Sequence, residues 1–184
     1  MYSTRWQAPH VTPATLSPPP VTLRIAKEDM KFSAAHFTIF GEGSREALHG
    51  HDHFVIVEIT GVVGENGLLA GVNYAEFKRL VRELCIDWDE KTLLPGRSAH
   101  LRVAAQDNEV IATFGTEEMR FPAAEVVVIP SANTSLEALA EVFSARLAAA
   151  LARESFGSGL RDLALTVTGS PGQQATVRRT FREQ

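Results

Sequence analysis

The sequence predicts an α+β fold built on an antiparallel sheet. Three observations point there. Short runs of alternating apolar and polar residues recur along the chain, two stretches carry apolar residues at helical spacing, and Gly/Pro/Asn turn signals join strand to strand.

In chain order, Val21, Leu23 and Ile25 alternate with Thr22, Arg24 and Ala26, which predicts a strand. A second extended stretch is expected from Met30 to about Ile39, ended by Gly41 and Gly43. The segment His51–Val63 resumes as a strand, rich in the β-branched Val55, Val57 and Ile59. Glu65-Asn66-Gly67 is a turn signal, because Asn-Gly tolerates positive φ. Asn73 then reads as a helix cap, with Glu76 as the other half of a capping-box-like pair. Phe77, Leu80, Val81 and Leu84 form that helix's apolar stripe, with Cys85 beside it as a small buried residue. Beyond Pro95-Gly96, alternation around Leu101–Val103, Val110–Phe114 and Val126–Ile129 predicts a hairpin and a returning strand. A second helix is expected from Thr134 to about Glu154, with Leu136, Leu139, Phe143, Leu147 and Leu151 on one face. Leu163, Leu165 and Val167 mark a late strand, Gly169-Ser170-Pro171-Gly172 a turn, and Ala175 to Phe181 a last strand.

Composition narrows the function classes. With 184 residues and 45% hydrophobic content, the chain suits one compact domain, placed at 21–184. Residues 1–20 carry five of the nine prolines and no apolar periodicity, which predicts a flexible tail without the apolar core of a secretory signal. A net charge of −4 argues against nucleic acid as the main partner, and the short tract Arg178, Arg179 and Arg182 reads as solvated surface. No apolar run approaches the roughly 20 residues of a membrane-spanning helix. One cysteine forms no intrachain disulfide, and a reducing, cytoplasmic setting is expected.

The chemistry concentrates in histidine. Four of six fall at positions 36, 49, 51 and 53. Neutral imidazole is a good zinc ligand, and catalytic zinc takes three protein ligands plus an open position. Residues two apart on a strand share a face at about 6.6 Å, so two neighbouring histidines can tilt onto one ion while three span about 13 Å. An adjacent pair joined by His36 from another strand is therefore the expected arrangement. Local chemistry leaves His49/His51 and His51/His53 both open, and surface or hydrogen-bonded histidines without a metal are the plain alternative. His10 and His100 read as non-ligands.

The string Phe32-Ser33-Ala34-Ala35-His36, followed by Leu48-His49-Gly50-His51-Asp52-His53, resembles the 6-pyruvoyltetrahydropterin synthase and 6-carboxytetrahydropterin synthase family, which carries Phe-Ser-Ala-x-His and then His-Gly-His-Asn-Tyr. The likeness continues through Gly71–Lys78, Asp89 with Leu93-Leu94-Pro95, Asn133–Ala140 and Pro171-Gly172-Gln173. The resemblance implies that His36, His49 and His51 hold Zn2+, with His53 at the tyrosine position as a neighbour. It implies a T-fold: a four-stranded antiparallel sheet with two helices on one face, here with an extra β-hairpin. It further implies a homo-oligomer, trimer or hexamer, with active sites between subunits and a dihydropterin such as 7,8-dihydroneopterin triphosphate as substrate. Zinc-dependent lyase chemistry on the substrate side chain is the implied activity.

Three departures stand out against the family pattern. The family's general-base cysteine is absent, and Arg45-Glu46-Ala47-Leu48 precedes His49. This resembles a branch with Arg-Glu-x-Leu-His-Gly-His, associated with forming 6-hydroxymethyldihydropterin, and makes Glu46 the candidate base. The family's Asp-His pair reads Asp89-Glu90, the candidate proton relays. Gly169 replaces the late glutamate that anchors the pterin ring. Glu137, with Ser135, remains at the other ring contact, although Thr134 and Glu137 also spell a capping box. Two further functions follow from the same pattern: a pterin- or purine-binding oligomer that keeps zinc without catalysis, and an oligomer in which zinc only ties strands together.

Overall fold

A computed structural model of the chain describes residues 18–154, 156 and 159–181. The tail expectation at residues 1–20 thus falls almost wholly outside the described residues, with only Pro18–Pro20 described, as exposed coil. His10 and Arg182 lie outside them as well.

Strand β1 runs Val21–His36, one long strand rather than two stretches, with an irregularity between Ala26 and Lys31 where its register against the next long strand shifts. A small hairpin follows, β2 (Ile39–Gly41) and β3 (Ser44–Arg45). Gly43 at its turn has φ +72°, a region that a side chain disfavours. Strand β4 (His49–Gly61) then returns antiparallel to β1. Met30, Phe32 and Ala34 of β1 and Val55, Val57 and Ile59 of β4 all point into the core, as the two-residue period requires.

Helix α1 (Tyr74–Ile86) starts where the sequence puts it: the Asn73 side chain accepts from the Ala75 and Glu76 amides. The capping box is only half made, since the Glu76 carboxylate pairs with Arg79 instead. Phe77, Leu80, Val81, Leu84 and Cys85 are its buried stripe.

Strand β5 (Lys91–Pro95) joins the free edge of β1 in parallel, and β9 (Val126–Ile129) pairs parallel to β5. Between them lie β6 (Leu101–Gln106), β7 (Glu109–Phe114) and β8 (Glu117–Pro122). Helix α2 (Leu136–Arg153) precedes the closing antiparallel pair, β10 (Leu160–Thr168) and β11 (Gln174–Thr180).

The main sheet therefore runs β11-β10-β4-β1-β5-β9, six strands and mixed. The expected four antiparallel strands are its first four, β11 to β1; the parallel pair is the correction. Leu93, Leu94 and Pro95 are consecutive and buried, so β5 shows no alternation for a sequence pattern to catch. The extra hairpin is likewise a three-stranded sheet, β6-β7-β8. Half of its third strand is charged, and Arg120 is held by Glu118 and Glu109.

The principal core joins the sheet to both helices and includes Phe32, Trp88 and Phe143, packed with ring centroids 5.3–6.2 Å apart. Burying each such side chain contributes roughly 1.5–3 kcal/mol. A second cluster (Phe37, Ile39, Leu94, Leu101, Val110, Ala112 and Phe114) seats the three-stranded insertion beside the end of β1. Arg179 is half-buried, reaching from β11 to Ser144 and Glu141 on α2.

Candidate metal centre and active site

Antiparallel pairing sets His36, the last residue of β1, directly opposite His49, the first of β4. His51, paired with Ala34, presents its ring to the same face two residues on. Ring centroids are 4.9 Å apart for His36–His49, 4.8 Å for His49–His51 and 5.5 Å for His36–His51. One ring nitrogen of each lies within 4.8 Å of the others. Of the two pairs left open by spacing, His49/His51 with His36 is the set brought together.

The outer nitrogens explain how the rings are aimed. Nδ1 of His36 donates to the Thr134 carbonyl at 3.0 Å, and Nδ1 of His49 to the Ala47 carbonyl at 2.8 Å. Nδ1 of His51 has a longer contact, 3.4 Å, with the Ser170 hydroxyl. A donor committed to a carbonyl leaves Nε2 as the bare lone pair, the form that ligates a cation. Nε2 of His36 is buried without a hydrogen-bond partner among the described residues, a position that would be costly unless something occupies the common point. Burial pushes the His36 imidazole down to about 4, and the neighbouring His53, His49 and His51 add to the effect. A neutral ring at neutral pH is what metal binding requires.

His53 sits in the next layer. It is fully buried, stacked on Phe32 at 4.8 Å, and donates from Nδ1 to the Thr168 carbonyl at 2.9 Å. Its pairing in sequence with His51 gave no sign that it would form the cluster's floor.

These rings open into a cavity of about 460 Å3, also lined by Thr38, Glu46, Ser135, Leu136, Glu137, Gly169, Ser170 and Gln173. Glu46 is held by a double tie to Thr38. Its carboxylate accepts from the Thr38 amide at 2.8 Å, and its own amide donates to the Thr38 carbonyl at 2.9 Å. Burial raises its affinity for a proton, but the Thr38 hydrogen bonds and the nearby His49 and His36 outweigh that, leaving the carboxyl below its ordinary value.

Helix α2 begins one residue later than its sequence suggests. Ser135 is the cap, accepting from the Ala138 amide at 3.4 Å. Thr134 is fully buried and donates its hydroxyl to the Phe37 carbonyl at 2.7 Å, so the Thr134–Glu137 capping box does not form. The Glu137 carboxylate is instead held below its usual value by its own backbone N–H and then by the Ser135 hydroxyl.

At the far wall, a Cβ on Gly169 would lie 2.9 Å from Cδ1 of Leu136. Leucine methyls thus fill the space toward which a side chain at 169 would grow.

Asp89 and Glu90 are not at this cavity in the single chain. The Asp89 carboxylate accepts from the Ser33 amide at 2.7 Å, and the Glu90 amide donates to the Ser33 carbonyl at 2.8 Å, fastening the turn after α1 to β1. Glu90, with φ +56°, lines a separate depression with Ser33, Asp52 and Lys91. Ser33 and Asp52 alternate with the core-facing Ala34 and His51, so this depression opens on the other face of the sheet.

Comparison with known proteins now bears on the site. Residues 24–180 match the family model described as 6-pyruvoyl tetrahydropterin synthase. The chain belongs to this family. A Methanocaldococcus jannaschii protein named "Putative 6-carboxy-5,6,7,8-tetrahydropterin synthase" is 26% identical over 151 residues, covering 82% of this chain and 90% of its own length. A Pyrococcus abyssi protein of the same name is 27% identical over 155 residues, covering 84% and 89%. Among solved structures, the Plasmodium vivax 6-pyruvoyl tetrahydropterin synthase superposes with a TM-score of 0.79 at 26% identity, covering 89% of this chain and 99% of its own. A second P. vivax structure, described as the enzyme with a glutamate catalytic residue changed to alanine, gives a TM-score of 0.77 at 25% identity, covering 89% and 99%. The pterin synthase family and its fold are thereby shown for this chain. Among the described residues, no helix is long and apolar enough to cross a membrane.

Proposed function

We propose that the protein is a zinc-dependent pterin-synthase-type lyase acting on the side chain of a dihydropterin. The observation that carries this is the convergence of His36, His49 and His51 on one point at the wall of a cavity that also holds Glu46 and Glu137. The donor set fits zinc: three imidazoles, two with firm outer-sphere acceptors, and a buried Nε2 on His36 with no hydrogen-bond partner among the described residues. When bound, zinc would supply Lewis-acid polarisation of the side-chain oxygens.

Glu46 is the base in this scheme. Its carboxyl is held in the ionised form, and Thr38 fixes its position, so it can take a proton from the substrate side chain without first losing its own. That a glutamate is called a catalytic residue in the P. vivax relative supports a carboxylate in this role. Glu137, with Ser135, orients the ring by accepting from its amino and N–H groups. Asp89 and Glu90 would serve as proton relays only across a subunit boundary, which agrees with a homo-oligomer, trimer or hexamer, whose sites lie between subunits. The single thiol suits a reducing, cytoplasmic compartment.

The test is to incubate zinc-loaded protein with dihydroneopterin triphosphate and identify products by mass. Side-chain elimination or cleavage that falls about 100-fold or more in Glu46→Ala, yet stays measurable, is expected. Neither turnover nor pterin binding by the wild type would remove the proposal. The placement of Asp89 and Glu90, which fasten the Ser33 backbone away from the cavity in the single chain, favours a second reading, a pterin- or purine-binding oligomer without catalysis. Saturable binding without product would select it.

A further inference from the structure

Arg45 precedes the proposed base and is held on several sides. Its guanidinium lies over the Phe37 ring at 5.2 Å and the Phe114 ring at 5.7 Å. Nη1 donates to the Glu46 carbonyl at 2.8 Å, and Nη2 to the Glu117 carboxylate at 2.5 Å. The side chain is 18% exposed, while that of Glu117 is 62% exposed. Phe37 directly follows the ligand His36, and Phe114 and Glu117 flank the β7–β8 turn of the insertion. One side chain therefore joins the end of β1, the loop bearing Glu46 and the three-stranded insertion.

Apart from Arg45, the described ties of the Glu46 loop are few: the paired bonds to Thr38, the bond from His49 to the Ala47 carbonyl and the short β2–β3 ladder. Segments with so few buried contacts open at low free-energy cost. A guanidinium suits the task of closing this one, since it stacks flat on aromatic rings while its fork still donates in plane.

We propose that Arg45 is a positioning residue that uses the insertion as a platform to hold the Glu46 carboxylate at the histidine cavity. This rests on the reading of Glu46 as base, so the experiment separates the two claims. The Thr38 amide, whose N–H the Glu46 carboxylate accepts, reports where that carboxylate is.

In the full-length, zinc-loaded protein, Arg45→Met is expected to speed exchange of the Thr38 amide by about tenfold or more, with α1 and α2 amides unchanged. Glu117→Gln, which alters only an exposed partner, is expected to speed it by about two- to fivefold. Turnover of dihydroneopterin triphosphate should fall about 10- to 100-fold in kcat for Arg45→Met, with KM within about twofold, and Arg45→Lys should fall less. In a Glu46→Ala background the same substitution should cause no further loss, because Arg45 acts only through that carboxylate. Thr38 exchange at the wild-type rate in Arg45→Met overturns the proposal, as does an undiminished kcat effect in the Glu46→Ala background. Should Arg45→Met fail to fold, Glu117→Gln decides, and unchanged Thr38 exchange there is equally fatal. If Glu46→Ala turns over like the wild type, the base assignment fails, while Thr38 exchange still decides whether Arg45 holds the loop.

Discussion

Thr134 offers the sharpest separation between what the sequence spells and what the fold does with it. As a cap, its hydroxyl would serve the first turn of α2, whereas here it donates to the Phe37 carbonyl at 2.7 Å in a fully buried setting. Thr134→Val keeps the shape and removes the donor. The Phe37 carbonyl then stays buried and unpaired, which costs about 1–3 kcal/mol. For a domain of this size, about 2 kcal/mol lowers Tm by roughly 4–8 °C. Thr134→Ser keeps the hydroxyl and loses one methyl, about 1 kcal/mol. Ser135→Ala removes the true cap and should cost about 0.5–1 kcal/mol, near the low end because the bond to Ala138 is 3.4 Å long. Thermal melts of the three variants at one protein concentration give the ranking, with Thr134→Val lowest. The Thr134 carbonyl also accepts from His36, so the shift should come with about tenfold weaker zinc binding. A Thr134→Val protein melting within a degree of wild type, with Thr134→Ser below it, would show that the methyl and not the hydroxyl matters.

Cys85 is 1% exposed, and burial pushes its thiol up to about 12. A disulfide reagent at pH 8 should leave the native protein unlabelled and react once per chain in denaturant; rapid native labelling would contradict this burial. In metal-free protein, His36 titrates at about 4 when folded against an ordinary 6.5. The unfolded chain then binds more protons in that window, so the contribution of His36 is complete above about pH 6.5 and is lost as pH falls toward 4. The loss amounts to about 3 kcal/mol. His53, also lowered by burial, acts in the same direction. Urea midpoints of chelator-treated protein should drop between pH 7 and 4.5, and a flat or rising profile would refute the imidazole packing. A Cβ on Gly61 would sit 2.5 Å from the Gly159 carbonyl oxygen, so Gly61→Ala must spread the end of the β4–β10 pair at about 1–3 kcal/mol. An unchanged Tm would disprove that close approach.

Much of this architecture was legible because local chemistry and tertiary role coincide. Asn73 caps α1 since its side chain reaches the amides two and three residues on, an interaction written wholly in sequence. His36, His49 and His51 announce themselves because strand periodicity sends His49 and His51 to one face, and the family resemblance chose between the two pairs. What stayed hidden depends on partners distant in the chain. Strand β8 shows only Met119 and Phe121 as apolar signals, and its Glu118 and Arg120 find purpose only beside Glu109. The parallel direction of β5 and β9 is fixed by crossovers rather than by their own residues. The Thr134, Ala47 and Thr168 carbonyls that aim the imidazoles are backbone atoms, which every residue carries and no pattern marks. Asp89 and Glu90 are visible as acids, but their bonds to the Ser33 backbone show a turn-fastening role in the single chain that spacing does not reveal.

Zinc-edge X-ray absorption on dialysed, zinc-reconstituted protein bears most directly on the centre itself. One zinc per chain is expected, in a shell of nitrogen and oxygen only at about 2.0–2.1 Å, with the multiple-scattering signature of three imidazoles that is lost in His36→Ala. Protein that retains no zinc, or a sulfur neighbour at about 2.3 Å, would contradict a site built from His36, His49 and His51.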